Sequence, residues 1–387
     1  TDTKGEPLPY VNIYLEDSYS GTTTNDDGNY SLSVAENTSQ TVIFQFLGYT
    51  TQEKTVSVET FPYTLNVTLT EETTSLDEVL INANENPANR IVEAVIAKKP
   101  EILKKQNAYT ADFYSRGLWR VENAPEKILG QEIGDLGGGL DSTRTGIVYL
   151  SETISKIAYQ APDDFKETIT ASKVSGDDNG FSFNSAQEAE YSFYNNTLEI
   201  NTPLISPIAD NAFNYYRYKL IGTFREGDKL INKIEVTPKR ANDRIFQGVI
   251  YIVEDDWQLY GVELTTTGAA IQVPFVESLI FKHNFKYDSQ TDLWVKISQS
   301  IDFSFKLFGF GGNGRFTAVY SNYNFSPEFD RSTFTNEVLS FKPEANKKDS
   351  IFWNQIRPIP LTIEERSDYT LKDSIQEIRE SKPYKDS

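Results

Sequence analysis

The sequence predicts a mainly β protein, an N-terminal β-sandwich followed by a large curved antiparallel sheet with a few helices. Three observations point there. Short alternating strands, with turn residues roughly every ten positions, occupy residues 1–73. Longer strand–turn–strand runs fill residues 107–330 with no helix of any length between them. Helical punctuation is confined to one segment within 74–106 and to a polar, partly helical connector at 331–387.

The elements follow in order. In PYVNIYLE, Val11, Ile13 and Leu15 alternate with Asn12, Tyr14 and Glu16, the period of a half-buried strand. TNDDGNYSLSV is a turn and a strand: Asp27-Gly28 supplies positive φ, and Tyr30, Leu32 and Val34 share one side. TVIFQFLGYTTQEKTVSV gives two strands around Gly48, and YTLNVTLTEE closes the set with Leu65, Val67 and Leu69. Strands this short and this evenly spaced make a sandwich.

The polar boundary that follows carries an apolar patch at Val79, Leu80 and Ile81, then a helix. Asn86 is its expected N-cap and Pro87 its first residue. Ile91, Val92, Val95 and Ile96 form its apolar stripe, Lys98 and Lys99 complement the dipole in the last turn, and Pro100 ends it. Beyond it, RIFQGVIYIVEDDWQLYGVELTTTG is the clearest hairpin, with Val249–Val253 and Trp257–Thr265 flanking a turn at Glu254, Asp255 and Asp256. Residues 186–190 can form a short helix. In the connector, Thr362-Ile363-Glu364-Glu365 fits a capping box, and Leu371, Ile375 and Ile378 give one thin apolar edge.

Composition narrows the function classes. The formal charge is 37 − 56 = −19, which disfavours nucleic acid and anionic membrane surfaces as partners. Cysteine is absent, which removes disulfides, thiolate metal sites and cysteine nucleophiles. Methionine is also absent, so the numbering is expected to start inside a longer gene product. No run of about 18 apolar residues occurs.

Several motifs invite a chemical reading. Gly309-Phe310-Gly311-Gly312-Asn313-Gly314 matches G-x-G-x-x-G, but a dinucleotide site needs a helix after the glycines. Here Ile301, Phe303, Phe305 and Leu307 alternate before them and RFTAVYSNYNF follows, so the run is strand, glycine turn, strand. GDLGGGLD, Gly134 to Asp141, lacks the Gly-Lys-Ser/Thr ending of a phosphate loop and is expected to be a flexible connection. The single histidine, His283, lies in LIFKHNFKY without a metal-ligand or nucleophile-elbow motif around it, and reads as a strand residue near the surface or a sheet edge. The acids Asp26-Asp27, Asp163-Asp164, Asp177-Asp178 and Glu254-Asp255-Asp256 all fall in turns, where they bond local backbone. No cofactor or metal is expected.

The stretch GEPLPYVNIYLEDSYSGTTTNDDGNYSLSV with TVIFQFLGYTTQEKTVSV resembles the carboxypeptidase regulatory-like domain, over about residues 1–70. That family usually has one more strand before TDTKGEPLP. SLDEVLINA is similar to the segment that closes such domains at the start of TonB-dependent outer-membrane transporters. NPANRIVEAVIAKK, YLSETISKI, ISPIADNAFNYYRYKL, INKIEVTPKR and FWNQIRPIPLTIEE resemble a family known as domain of unknown function 5686, over about residues 84–387. Its members look like Gram-negative outer-membrane proteins in which this region precedes a C-terminal β-barrel. FQGVIYIVEDDWQLYGVEL is similar in pattern to the lipoprotein carriers of LolA type, half-barrels whose concave face holds acyl chains.

The resemblance implies no enzyme. The expected function is a periplasmic binding or adaptor module of an outer-membrane protein, with outer-membrane or periplasmic proteins, a lipid or a lipoprotein as partners. Alternation places Phe246, Ile250, Ile252, Trp257 and Leu259 as candidate lining of a ligand cavity on the curved sheet. The alternative is a glycan-active hydrolase, which would need a pocket holding two acids at about 5–10 Å with no basic partner.

Overall fold

The computed structural model describes residues 1–74, 86–177, 184–189, 191–241 and 243–381. The apolar patch expected at Val79–Ile81 lies outside them. The N-terminal sheet contains β1 (Asn12–Leu15), β2 (Gly21–Thr23), β3 (Ser39–Gln45) and β4 (Gln52–Ser57), antiparallel in the order β2-β1-β3-β4. Val11, Ile13 and Leu15 point into one core with Val42, Phe44 and Leu69, as their alternation requires. Gly28 takes a positive φ of 77° in its turn.

The facing layer differs from expectation. Residues 29–34 and 63–69 run without ladder pairing, yet Tyr30, Leu32, Val34, Leu65 and Val67 pack on the same core. Other groups take over the bonding. The Tyr30 hydroxyl donates to the Leu65 carbonyl at 2.7 Å, and the Thr1 backbone nitrogen donates to that of Val67 at 3.1 Å.

Helix α1 (Pro87–Lys105) starts as predicted, with the Asn86 side chain accepting from the Ala88 N–H at 3.0 Å. It does not stop at Pro100. A proline inside a helix forfeits one backbone bond, and here burial of Ile102 on the same stripe as Ile91 and Val95 favours continuation to Lys105.

The main sheet has eleven strands. In chain order come β5 (Ala108–Glu122), a small separate hairpin of β6 (Lys127–Ile128) and β7 (Gln131–Glu132), β8 (Gly146–Gln160) and β9 (Asp164–Val174). Next are α2 (Ala186–Ala189) and a second small hairpin, β10 (Thr197–Ile200) with β11 (Thr202–Ile205). Then follow β12 (Tyr216–Glu226), β13 (Lys229–Pro238), β14 (Gln247–Val253), β15 (Gln258–Thr267), β16 (Val276–Asp288), β17 (Leu293–Leu307), β18 (Phe310–Asn324) and β19 (Leu339–Phe341). Strands β12 to β18 pair successively, β18 closes on β5, and β8, β9 and β19 complete the far edge. Every pair is antiparallel except β9 with β19, a three-residue edge supplied by the connector.

The glycine run sits within this sheet. Phe308 and Gly309 make the turn, with φ of 48° and 85°. Gly311, Gly312 and Gly314 lie in β18 itself, where a Cβ at Gly312 or Gly314 would run into the rings of Phe305 and Phe303. The glycines clear space for aromatic side chains crossing from β17.

One face of the sheet is covered by α1 and residues 191–214, which form the largest core with β12–β17. The N-terminal sheet packs elsewhere: Gly261 and Gly222 face Leu47 and Thr74, and the Tyr10 hydroxyl donates to the Lys282 carbonyl at 3.1 Å. The connector forms α3 (Ser350–Ile356) and α4 (Ile363–Glu380). The capping box closes as predicted, Thr362 Oγ1 accepting from the Glu365 N–H at 3.1 Å and Glu365 Oε1 from that of Thr362 at 3.0 Å. Of its thin apolar edge, Ile375 is half-buried beside Gly138, and the other two positions are not docked. Leu371 and Ile378 are 51% and 62% exposed, and α4 instead buries Glu365, Asp368, Tyr369 and Lys372. Among the described residues no helix is long and apolar enough to cross a membrane.

Candidate ligand-binding cavity

His283 lies near the middle of β16, paired with Val262 on β15 and Gln299 on β17. The expected surface or edge position is wrong: it is fully buried, well inside the eleven-stranded sheet. The cause is tertiary. Residues 191–194 cross this face, and the Phe193 ring centroid stands 5.0 Å from the imidazole.

Beside it is a cavity of about 60 Å³, walled by Tyr109, Phe193, Phe285, Tyr323 and Phe325, with Lys296 at its side. Tyr323 and Phe325 stack at 5.2 Å and 7°. Neither ring nitrogen of His283 has a hydrogen-bond partner among the described residues. Burial, and then the neighbouring Lys296 ammonium, push its pKa well below the usual imidazole range, so the ring is neutral. Lys296 Nζ donates to the Tyr191 carbonyl at 3.0 Å and to Gln299 Oε1 at 3.1 Å.

The cover over this face is pinned by polar bonds. Lys99, expected to complement the dipole in the last turn of α1, is buried. Its Nζ donates to Asn196 Oδ1, the Ile208 carbonyl and Asp210 Oδ1, each at 2.9 Å. Ser206 Oγ donates to the Phe193 carbonyl at 2.6 Å, and the Leu259 N–H donates to the Tyr194 hydroxyl at 2.8 Å.

The five positions picked from alternation fall in the adjoining core. Phe246, Ile250, Ile252 and Leu259 are buried there, and Trp257 packs at its margin beneath the Arg90 guanidinium, 5.4 Å from the ring centroid. None of the five lines the His283 cavity. Alternation marks which side chains turn inward; it does not say where the covering segment leaves space.

A second buried cluster joins the connector to the sheet. Glu152 on β8 accepts from the Tyr114 hydroxyl at 2.6 Å, from Arg357 at 2.6 and 2.8 Å, and from the Tyr369 hydroxyl at 3.0 Å. Burial alone would raise its pKa. The guanidiniums of Arg357 and Arg116 and the Tyr114 hydroxyl outweigh that and hold it at about 2. Arg116 also binds Glu365 at 3.2 Å and donates to the Pro360 carbonyl at 3.0 Å. Both carboxylates face guanidiniums, the opposite of a hydrolytic pair. Three of the turn acids also face cations, in place of the local backbone bonds expected of them: Glu254 pairs with Arg90, Asp256 with Lys229, and Asp26 with Arg315. The only sequence trace of the Glu152 cluster is an acid within the apolar strand YLSETISKI.

The family of unknown function DUF5686 matches residues 91–323, more than half of the chain. This chain belongs to the DUF5686 family. The matched span runs from within α1 to Tyr323 in β18 and takes in the cavity's lining except Phe325, while the connector lies outside it. Residues 1–81 match the CarboxypepD_reg-like domain. The TonB-dependent receptor SusC of Bacteroides thetaiotaomicron is 34% identical over 105 residues, which make up 27% of this chain and 10% of the receptor. This DUF5686 chain therefore spans a tenth of that relative's length. Among solved structures, a LolA superfamily protein from Nitrosomonas europaea has 12% identity and a TM-score of 0.24, over 65% of this chain and 98% of its own. A DUF1329 family protein from Desulfovibrio piger has 10% identity and a TM-score of 0.24, over 65% and 99%.

Proposed function

We propose that this DUF5686 chain is a non-enzymatic binding module of the bacterial cell envelope, on the periplasmic side of the outer membrane. It holds a small lipophilic ligand, or one end of a longer one, in the cavity beside His283. The observation that carries this reading is an aromatic cavity beside a buried imidazole whose nitrogens have no partner among the described residues. Leaving a buried polar group unsatisfied costs about 1–3 kcal/mol, so such a group calls for a partner. The cavity alone is too small for a full acyl chain, since one water already occupies about 30 Å³. A longer ligand enters by displacing part of residues 191–214. The partial match to an outer-membrane receptor supports the location.

Native mass spectrometry and solvent extraction of the purified chain test this. A co-purifying lipophile, or uptake of an added one that broadens the His283 resonances, is expected. A chain that carries nothing and takes up no apolar probe defeats it.

An adaptor role for the same body is favoured by a separate observation, the Glu152 cluster, which fastens the connector to the sheet. In that role the rigid body relays position between a partner protein bound at one end and a membrane barrel at the other. A pull-down of envelope proteins that survives loss of ligand binding would support it.

A further inference from the structure

We infer that the His283 cavity selects the uncharged polar end of a lipophilic molecule, an acyl ester or an alcohol, over a charged headgroup or a bare hydrocarbon. This rests on the reading of the cavity as a ligand site and adds the chemistry of its occupant.

The imidazole decides the polar part. A neutral histidine presents one N–H donor and one nitrogen acceptor. Both ring nitrogens of His283 are buried, and neither has a partner among the described residues. A hydrocarbon would leave both unsatisfied, at the cost already noted. An ester carbonyl can accept from the N–H, and a hydroxyl can donate to the other nitrogen.

The walls decide the charge. A cation would be placed beside the Lys296 ammonium in a site lined by aromatic rings, where repulsion is weakly screened. An anion would be stripped of water against Phe193, Phe285, Tyr323 and Phe325. It would meet a single imidazole N–H, while Lys296 Nζ already donates to Tyr191 and Gln299. An uncharged ester or alcohol has neither cost. The stacked rings of Tyr323 and Phe325 then offer a flat apolar surface to the carbon chain.

The single histidine makes the test direct, because imidazole ¹⁵N labelling reports on one ring. The intact chain is titrated by calorimetry and NMR with monodecanoylglycerol, decanoate, decylammonium and decane, below their micellar concentrations. Monodecanoylglycerol is expected to bind about tenfold more tightly than the other probes and to shift the ring nitrogens. His283→Leu should lose that preference while keeping its decane affinity. His283→Gln, which retains a donor and an acceptor, should keep the preference to within about threefold and guards against a folding defect.

Equal binding of all probes, tightest binding of decanoate or decylammonium, or ring nitrogens that stay unmoved on saturation would overturn the inference while leaving the cavity a ligand site. Ring nitrogens bonded to water alone, with no probe taken up, would overturn the cavity reading itself.

Discussion

Arg357 grips Glu152 through two hydrogen bonds, Nε to Oε1 at 2.6 Å and Nη2 to Oε2 at 2.8 Å, across 205 residues of chain. Both side chains are buried, at 7% and 0% exposure. The pair fixes the segment between α3 and α4 against β8, and through Arg116, which bonds the Ile359 and Pro360 carbonyls, against β5 as well. The N-terminal sheet meets the same segment, since Asn25 Nδ2 donates to the Pro360 carbonyl at 3.1 Å.

Removing one partner of a buried ion pair leaves the other uncompensated, which costs about 3–5 kcal/mol. Arg357→Ala and Glu152→Gln should each lower stability by that order in urea unfolding. The joint replacement Glu152→Leu with Arg357→Met should recover only part of the loss, because the buried Tyr114 and Tyr369 hydroxyls lose Glu152 as acceptor. Single variants within about 1 kcal/mol of the parent would show that the connector is held by something else.

Two pH windows follow from burial. The His283 pKa is depressed below its usual 6.5, so the unfolded chain binds a proton that the folded chain refuses. Its contribution to stability is complete above pH 6.5 and falls away as pH drops below it. Glu152, held at about 2 against a usual 4.5, contributes fully above 4.5 and is lost as pH falls toward 2. Urea midpoints between pH 7 and 5 should decline in the parent and decline less in His283→Leu. A parallel decline in both would mean that the imidazole titrates freely in the folded state.

Gly314 in β18 faces the Phe303 ring and the Leu118 carbonyl, the latter at 2.6 Å from where a Cβ would stand. Gly314→Ala should therefore destabilise by about 1–3 kcal/mol through overpacking. Phe303→Ala in the same chain should restore part of that, and only part, because the carbonyl stays. Full rescue in thermal melts would place the whole conflict in the ring.

Lys99 holds the cover over the cavity through Asn196, Ile208 and Asp210. Lys99→Met removes those bonds while keeping the apolar stem. Hydrogen exchange over residues 193–210 should accelerate, and uptake of an apolar probe by the cavity should become faster. Unchanged exchange there would show that side-chain packing alone keeps the face closed.

Much of this protein was legible as local pattern. The alternation through Ile13, Ile250 and Phe303, the Asn86 and Thr362 caps and the strand context of the glycines are written in spacings of two to four residues. Backbone geometry and capping depend on nothing further away. The run through Pro100, the outward turn of Leu371 and Ile378, and the parallel β19 were decided by what each segment meets after folding.

The sequence by itself determined an antiparallel β architecture, where its strands begin and turn, and a charge that repels polyanions. Only the tertiary structure decided that His283 is buried beside a cavity, that Lys99 faces inward and that Glu152 joins two arginines. Phe193 and His283, Lys99 and Asp210, and Glu152 and Arg357 stand about 90 to 205 positions apart in sequence, and no local periodicity records which segments will cross a given face of the sheet.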